Sequence, residues 1–137
     1  MVSWYGCGPG ESYPDRKLST PLGVWESTVD GLHFPFVPPS ENGGRDDVRW
    51  LRFTHRDGRR LTVRTERPLH FDAHHYTVED CQQAAHDHEL PHRPETWLHL
   101  DAVHGPIGSD MAWSTVMSEK YAIEGGDVSF AFEIVME

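Results

Sequence analysis

Three loop-like segments of the chain carry the side chains that could do chemistry. Sites for sugars use aromatic faces against the apolar side of the ring, and amides, carboxylates and guanidinium groups for its hydroxyls. The segments supply these groups, and the candidate carbohydrate-binding residues are Tyr13, Asp15, Arg16, Glu41, Asn42, Arg45, His104, Asp110 and Trp113. If the segments converge in space, these residues form a binding site.

The same segments also fit a structural role, which is the favoured interpretation. Residues 4–16 contain several glycines together with Pro9 and Pro14. Glycine allows positive φ and proline fixes φ, so the segment is predicted to form a rigid corner in which Arg16 pairs with a carboxylate. Residues 41–43 make a sound turn, because asparagine tolerates left-handed backbone.

No residue of the chain is predicted to be catalytic. A retaining glycosidase needs two carboxylates about 5 Å apart, and no local pattern identifies such a pair. Neighbouring acids such as Asp46 and Asp47 fit solvated surface or capping positions. Ser109 and Ser114 lie near His104, but the chain has no Gly-x-Ser-x-Gly elbow that would activate a nucleophile.

Several histidines raise the possibility of a metal site. His86 and His88 are two residues apart and would share a face of an extended segment, with His92, His74 and His75 nearby. No cysteine-containing ligand spacing accompanies them. Surface or hydrogen-bonded roles are therefore favoured, and no metal ligand is assigned.

Composition limits the classes of partner. The chain has 137 residues with 22 acidic against 12 basic ones, a formal charge of -10. This balance argues against nucleic acid and anionic membranes, since both require a basic surface. Cys7 and Cys81 are too few for a disulfide scaffold, and no apolar run could span a bilayer. We expect a cytoplasmic protein whose residues 1–137 form one domain.

Short strands separated by turn residues dominate the pattern. Residues 47–63 predict a β-hairpin around the Asp57-Gly58 turn. Thr77 and Asp80 predict the start of one short helix. Further strands with period-two alternation are predicted at residues 23–29, 69–73, 96–101 and 128–135.

These elements predict an all-β fold, an antiparallel β-sandwich with one short helix. No helix is long enough to make the crossovers of a parallel sheet. Trp25, Trp50 and Trp97 lie inside strand patterns and are expected in the core.

Three motifs of the chain resemble a known family. WYGCGPGESYPDR at 4–16, FVPPSENGGR at 36–45 and HGPIGSDMAW at 104–113 are similar, in order and spacing, to the C-terminal small-chain domain of bacterial β-galactosidases of glycoside hydrolase family 2. The resemblance covers nearly the whole chain. It implies the later part of a galactose-mutarotase-like β-supersandwich.

The resemblance also implies a division of roles. Whole enzymes of that family hydrolyse terminal β-D-galactosides with retention, using glutamates of a separate barrel domain. The magnesium and sodium that serve them bind mainly outside this region, so no cofactor is expected on this chain.

Three functions are compatible with these observations. The first is a structural domain that lines the substrate rim, whose partners are the remaining domains and the galactoside. The alternative is a free-standing carbohydrate-binding module, and the lowest-ranked is a mutarotase-like enzyme with His104 as general acid or base. Exposed strand edges are expected to promote self-association.

Overall fold

A six-stranded antiparallel sheet organises the chain in the computed structural model, which describes residues 1–107 and 118–137. The strands are β1 (Val2–Cys7), β2 (Leu22–Ser27), β3 (Arg45–Thr54), β4 (Arg60–His74), β5 (Trp97–Asp101) and β6 (Phe132–Met136). One α-helix, α1, spans Val78–Gln83. Single turns of 3-10 helix lie at Asp30–Leu32, Asp87–Glu89 and Glu119–Tyr121. The predicted all-β character with one short helix is confirmed.

The strand order is β2-β1-β3-β4-β5, and β6 also pairs with β4. The predicted hairpin is confirmed, since β3 and β4 pair in register from Trp50 to Arg64 around the turn. Gly58 has φ 93° there, a conformation that favours glycine. The local Asp-Gly signal was therefore sufficient to place this turn.

Strand β4 is the longest element and holds two edge strands on one side. Its first part pairs with β6 from Leu61 to Thr65, and its last part pairs with β5 from His70 to His74. Pro68 lies between the two parts, where proline's missing N–H costs no ladder hydrogen bond to either strand. The sheet therefore branches at β4.

The hydrophobic core lies on one face of this sheet. Side chains of directly paired residues share a face, so Trp4, Leu51 and Val63 are neighbours across three strands. The buried core residues are Val2, Trp4, Leu32, Val48, Leu51, Val63, Leu69, Phe71 and Ala73. Phe71 packs edge-on against Trp4, with ring centroids 6.1 Å apart.

Residues 4–7 differ from the sequence expectation, because they continue β1 instead of starting a loop. Gly6 is needed there for close packing: a Cβ at this position would lie 2.6 Å from Val48 Cγ2. On β3, Asp47 adopts φ 55° at an irregularity in the pairing with β4. Glycine in this segment thus lets two strands approach where the ladder bulges.

The helix begins as predicted. Thr77 Oγ1 accepts a hydrogen bond from the Asp80 backbone N–H, and the Asp80 carboxylate accepts one from the Thr77 N–H. This reciprocal capping satisfies two donors that the first turn would leave unpaired. The helix is six residues long. No helix within residues 1–107 and 118–137 has the length and apolarity to cross a membrane.

The described residues bear on the predicted second sheet and on the predicted burial of the strand tryptophans. The described residues form a single sheet, so the second sheet of a sandwich is not part of what they show. Trp97 lies on edge strand β5 and is 43% exposed, so its predicted place in the core is wrong. Trp25 packs against the core and is only partly buried. A strand pattern alone does not reveal which strand lies at an edge.

We predict that Gly6→Ala destabilises the fold by about 1–3 kcal/mol, the usual cost of overpacking a core. The added methyl would meet Val48 and the Asp46 backbone oxygen, neither of which can move freely. Chemical denaturation measures the change. Gly10→Ala is the matched control, because no heavy atom lies within 4 Å of the added Cβ, and an equal loss in both variants would contradict the packing argument.

Candidate functional site

The face of the sheet opposite the core carries a cluster of ionisable side chains at β4 and β5. His70 pairs with Asp101 and Asp72 with His99, while the intervening residues point to the core. The His99 ring donates from Nδ1 to Asp72 Oδ1 at 2.7 Å. His70 and Asp72 are buried, so strand alternation places acids and imidazoles in partly desolvated positions.

Tyr13 covers this polar face from the first loop. Its ring centroid lies 5.4 Å from that of His70 and 5.4 Å from that of His104. The two imidazoles stack on each other at 4.1 Å. The Tyr13 hydroxyl accepts a hydrogen bond from the Gly44 N–H at 3.1 Å. Tyr13 is fully buried, and its edges and faces are already occupied by protein.

Asn42 fixes the second loop. Its Oδ1 accepts from the Phe34 N–H at 2.9 Å, and its Nδ2 donates to the Ser40 carbonyl and to the Tyr76 hydroxyl. Its own carbonyl accepts from His74 Nε2 at 3.0 Å. Every polar group of this side chain is used internally, so Asn42 is a structural residue of the chain.

The two arginines among the candidates are also engaged within the protein. Arg45 is buried, donates to the Gly43 carbonyl at 2.7 Å and lies over the Trp4 ring. Arg16 donates to the Glu11 carboxylate at 2.8 Å. The predicted pairing of Arg16 with a carboxylate is confirmed, whereas the corner itself begins only after β1 ends at Cys7.

Glu41 is the candidate with the most unusual electrostatics. Its Oε1 lies 3.9 Å from His104 Nε2. Burial, and then the nearby carboxylate of Asp72, raise the pKa of Glu41 to about 7, while His104 lowers it and Asp101 raises it further. A carboxyl group with this pKa exchanges protons near neutral pH and can donate or accept hydrogen bonds to a hydroxyl.

The structure thus brings together Tyr13, Glu41 and His104, and it adds residues that the loop motifs did not indicate. The added residues are His70, Asp72, His99 and Asp101. Their signal was present in the alternating polar positions of β4 and β5, which were read only as strands. Asp15 lies half-buried in the first corner, and Asp110 and Trp113 lie outside the described residues.

A small cavity beside this cluster limits what the described residues can enclose. It is lined by Glu41, Asp72, His99 and Cys81 among others and has a volume of about 60 Å³. Enclosed sites for small molecules are typically larger than about 300 Å³. The cluster can therefore offer hydrogen-bonding groups to one side of a ligand, but these residues alone do not surround a sugar ring.

Two groups within residues 1–107 and 118–137 have ligand atoms close enough for one metal ion. Glu41, His70 and His104 form one, and Asp30, His75 and His92 form the other. His86 and His88 belong to neither group, and their rings stack on each other at 5.6 Å. His86 and His88 thus share a face as predicted, but they are not among the residues whose ligand atoms converge.

We predict that the stability of Glu41→Gln, relative to the unsubstituted chain, rises between pH 5 and pH 8. The raised pKa of Glu41 contributes stability that is complete below the unfolded value of 4.5 and lost as pH rises toward 7. Glutamine removes this loss. Because the side chain is 43% exposed, solvent screening reduces the expected difference to on the order of 1 kcal/mol.

Denaturant unfolding at both pH values gives this difference, and carboxyl NMR shifts of Glu41 give its pKa directly. Glu26→Gln, a change on strand β2 far from this cluster, is the control. A Glu41 titration near its unfolded value would contradict the electrostatic account.

Known proteins are similar to this chain over most of its length. A family model described as "Beta galactosidase small chain" matches residues 1–135. A β-galactosidase of Enterobacter cloacae is 33% identical over 131 residues, which is 96% of this chain and 12% of that protein. A β-galactosidase of Vibrio cholerae is 37% identical over 122 residues, 89% of this chain and 11% of that protein.

The chain therefore spans about one eighth of the length of these relatives. The resemblance inferred from the three loop motifs is confirmed. The chain belongs to the β-galactosidase small-chain family.

Proposed function

We propose that this chain acts as the structural and substrate-rim portion of a β-galactosidase of glycoside hydrolase family 2, whose whole enzyme hydrolyses terminal β-D-galactosides with retention. The match of residues 1–135 to the family, at about one eighth of its relatives' length, carries the proposal. On its own the chain is not a catalyst. The remaining portions supply the catalytic carboxylates.

The internal engagement of the loop residues supports the structural part of this role. Asn42, Arg45 and Arg16 use their polar groups on neighbouring backbone or side chains. Among the described candidates, Glu41 and His104 keep ionisable groups that are partly exposed to solvent. They are the residues through which the chain would reach the rim of a sugar pocket formed with other domains.

Part of the core face of the sheet is exposed at β6, which supports a second sheet that covers it in the whole enzyme. Ile134 pairs with Val63 and Met136 with Leu61, so these side chains share the face that elsewhere forms the core. Val63 is fully buried, yet Ile134 is 53% and Met136 79% exposed. Such a face is normally covered. We assign its cover to a second sheet of the supersandwich in the whole enzyme.

A carbohydrate-binding module is the second candidate function, and the partly exposed ionisable groups of Glu41, His99 and His104 are the observation that favours it. The lowest-ranked candidate is a mutarotase-like activity, favoured by Glu41 near neutral pKa beside His104. Polarimetry of α-D-galactose tests the latter. Acceleration above the buffer rate that Glu41→Gln removes would support it over the structural role.

The cofactor and location assignments follow from the same proposal. Magnesium and sodium would serve the whole enzyme through ligands outside this region. A cytoplasmic location is supported by two free thiols, at Cys7 and Cys81, since structural disulfides mark oxidising compartments.

We predict that the isolated chain does not hydrolyse o-nitrophenyl β-D-galactoside. A chimera of the Enterobacter cloacae relative, in which this chain replaces the matching 131 residues, is expected to hydrolyse it. The same relative lacking those residues is the control. Hydrolysis by the isolated chain, abolished by Glu41→Gln, would contradict the proposal. An inactive but assembled chimera would contradict the rim role while leaving the scaffold role.

Lactose titrated against the isolated chain, followed by tryptophan fluorescence, separates the module from the structural domain. The structural role predicts no saturable change at millimolar sugar. Saturable binding that disappears in Trp113→Ala but persists in Trp97→Ala, a change of an exposed tryptophan on β5, would establish the module instead.

We also predict self-association of the isolated chain through the uncovered apolar face and the edge strands. Light scattering should show mass above 15.7 kDa that falls toward the monomer in Ile134→Lys. Leu18→Lys is the control, because Leu18 is fully exposed outside the sheet. A monomer at high concentration in the unsubstituted chain would refute this association.

A further inference from the structure

We propose that Asp30, His75 and His92 form a binding site for a first-row transition-metal ion such as Ni²⁺ or Zn²⁺. The site lies apart from the Glu41 cluster and does not depend on the proposed function. It differs from the interpretation of the sequence, which favoured surface or hydrogen-bonded roles for the histidines and assigned no metal ligand.

The three residues come from separate segments that the fold brings together. Asp30 follows β2, His75 follows β4, and His92 lies between Pro91 and Pro94. One ligand atom of each residue lies within 4.8 Å of the others. His92 Nε2 is 2.9 Å from Asp30 Oδ1. A metal ion would replace the shared proton of this pair and draw in the third ligand.

The hydrogen bond at Nδ1 of His75 orients the ring so that Nε2 can bind a metal ion. His75 Nδ1 donates to the Glu95 carbonyl at 2.9 Å, which leaves Nε2 with the lone pair. Metal-binding histidines commonly use the other nitrogen in this way. The His75 carbonyl in turn accepts from the Arg93 N–H at 2.7 Å. Within the described residues no hydrogen bond to His75 Nε2 is formed.

The backbone near the ligands is constrained on both sides of the site. His75 and His92 rings stack with centroids 4.5 Å apart. The prolines that flank His92 restrict its segment to extended conformations. The backbone at His75 and His92 is therefore restrained before an ion binds, which lowers the entropy cost of binding, while the exposed side chains of Asp30 and His92 adjust to the ion.

A cavity of about 170 Å³ lies beside the three ligands. His33, His74 and Asp87 also line it. His74 is buried, and because Nε2 donates to the Asn42 carbonyl, the lone pair is on Nδ1, which has no hydrogen-bond partner among the described residues. A buried imidazole lone pair beside the cluster is a second indication that the pocket accommodates a donor or a hydrated cation.

The donor set favours a transition metal over calcium or magnesium. Two imidazoles and one carboxylate suit zinc, nickel or copper, whereas the alkaline-earth ions prefer oxygen ligands throughout. Three protein ligands leave at least one position for water. The formal charge of -10 adds a general attraction for cations.

Isothermal titration of the tag-free full chain with Ni²⁺ tests the proposal. We expect one equivalent to bind, and binding to weaken at least about tenfold in His92→Ala and in His75→Ala, since even outer-shell partners contribute that much. His55→Ala is the matched control. His55 Nδ1 also lies 2.8 Å from an aspartate oxygen, that of Asp57, but it belongs to neither candidate metal cluster.

Circular dichroism and thermal unfolding without metal establish that the variants fold. Asp30→Asn preserves size and provides a third variant if an alanine substitution disturbs the loop. Unchanged Ni²⁺ affinity in folded His92→Ala and His75→Ala would overturn the proposal. Binding that survives these changes but disappears in His104→Ala would also overturn it, because the ion would then occupy the group formed by Glu41, His70 and His104.

Discussion

The last part of strand β4, residues 69–74, is buried on both of its faces, and the surrounding structure depends on this constraint. Phe71 and Ala73 enter the core, whereas His70, Asp72 and His74 enter a buried polar layer on the opposite side. A strand interior tolerates such alternation when most of the buried polar groups find partners, because leaving one unpaired costs about 1–3 kcal/mol. Neighbouring strands and the second loop supply partners for His70 Nδ1, Asp72 and His74 Nε2, whereas His70 Nε2 and His74 Nδ1 have none among the described residues.

The loops that resemble the family motifs owe their shape to this requirement. The Asp46 carboxylate accepts from His70 Nδ1 at 2.8 Å, and the Asn42 carbonyl accepts from His74. Tyr13 closes the layer over His70. Residues that would suit a sugar site thus pair with the buried polar groups of the sheet. Glu41 and His104 remain partly exposed, and the pKa of Glu41 is raised.

The predictable parts of the fold were those decided by neighbours in sequence. The Asp57-Gly58 turn and the Thr77 cap depend on hydrogen bonds between residues a few positions apart, so local residue types determine them. Gly6 was predicted to lie in a corner that needs positive φ or close backbone approach, and only the close approach, to β3, is its role. Trp97 was placed in the core because its pattern does not reveal that β5 lies at an edge.

The sequence by itself determined the family, the all-β character, the hairpin and the helix start, since these depend on residue types at fixed short spacing. Only the tertiary structure decided which polar residues meet. It placed Glu41 beside His104, and His75 beside His92, by pairing strands and loops far apart in the chain. Side-chain proximity and desolvation are properties of that long-range register, and a one-residue shift would exchange the faces of every strand.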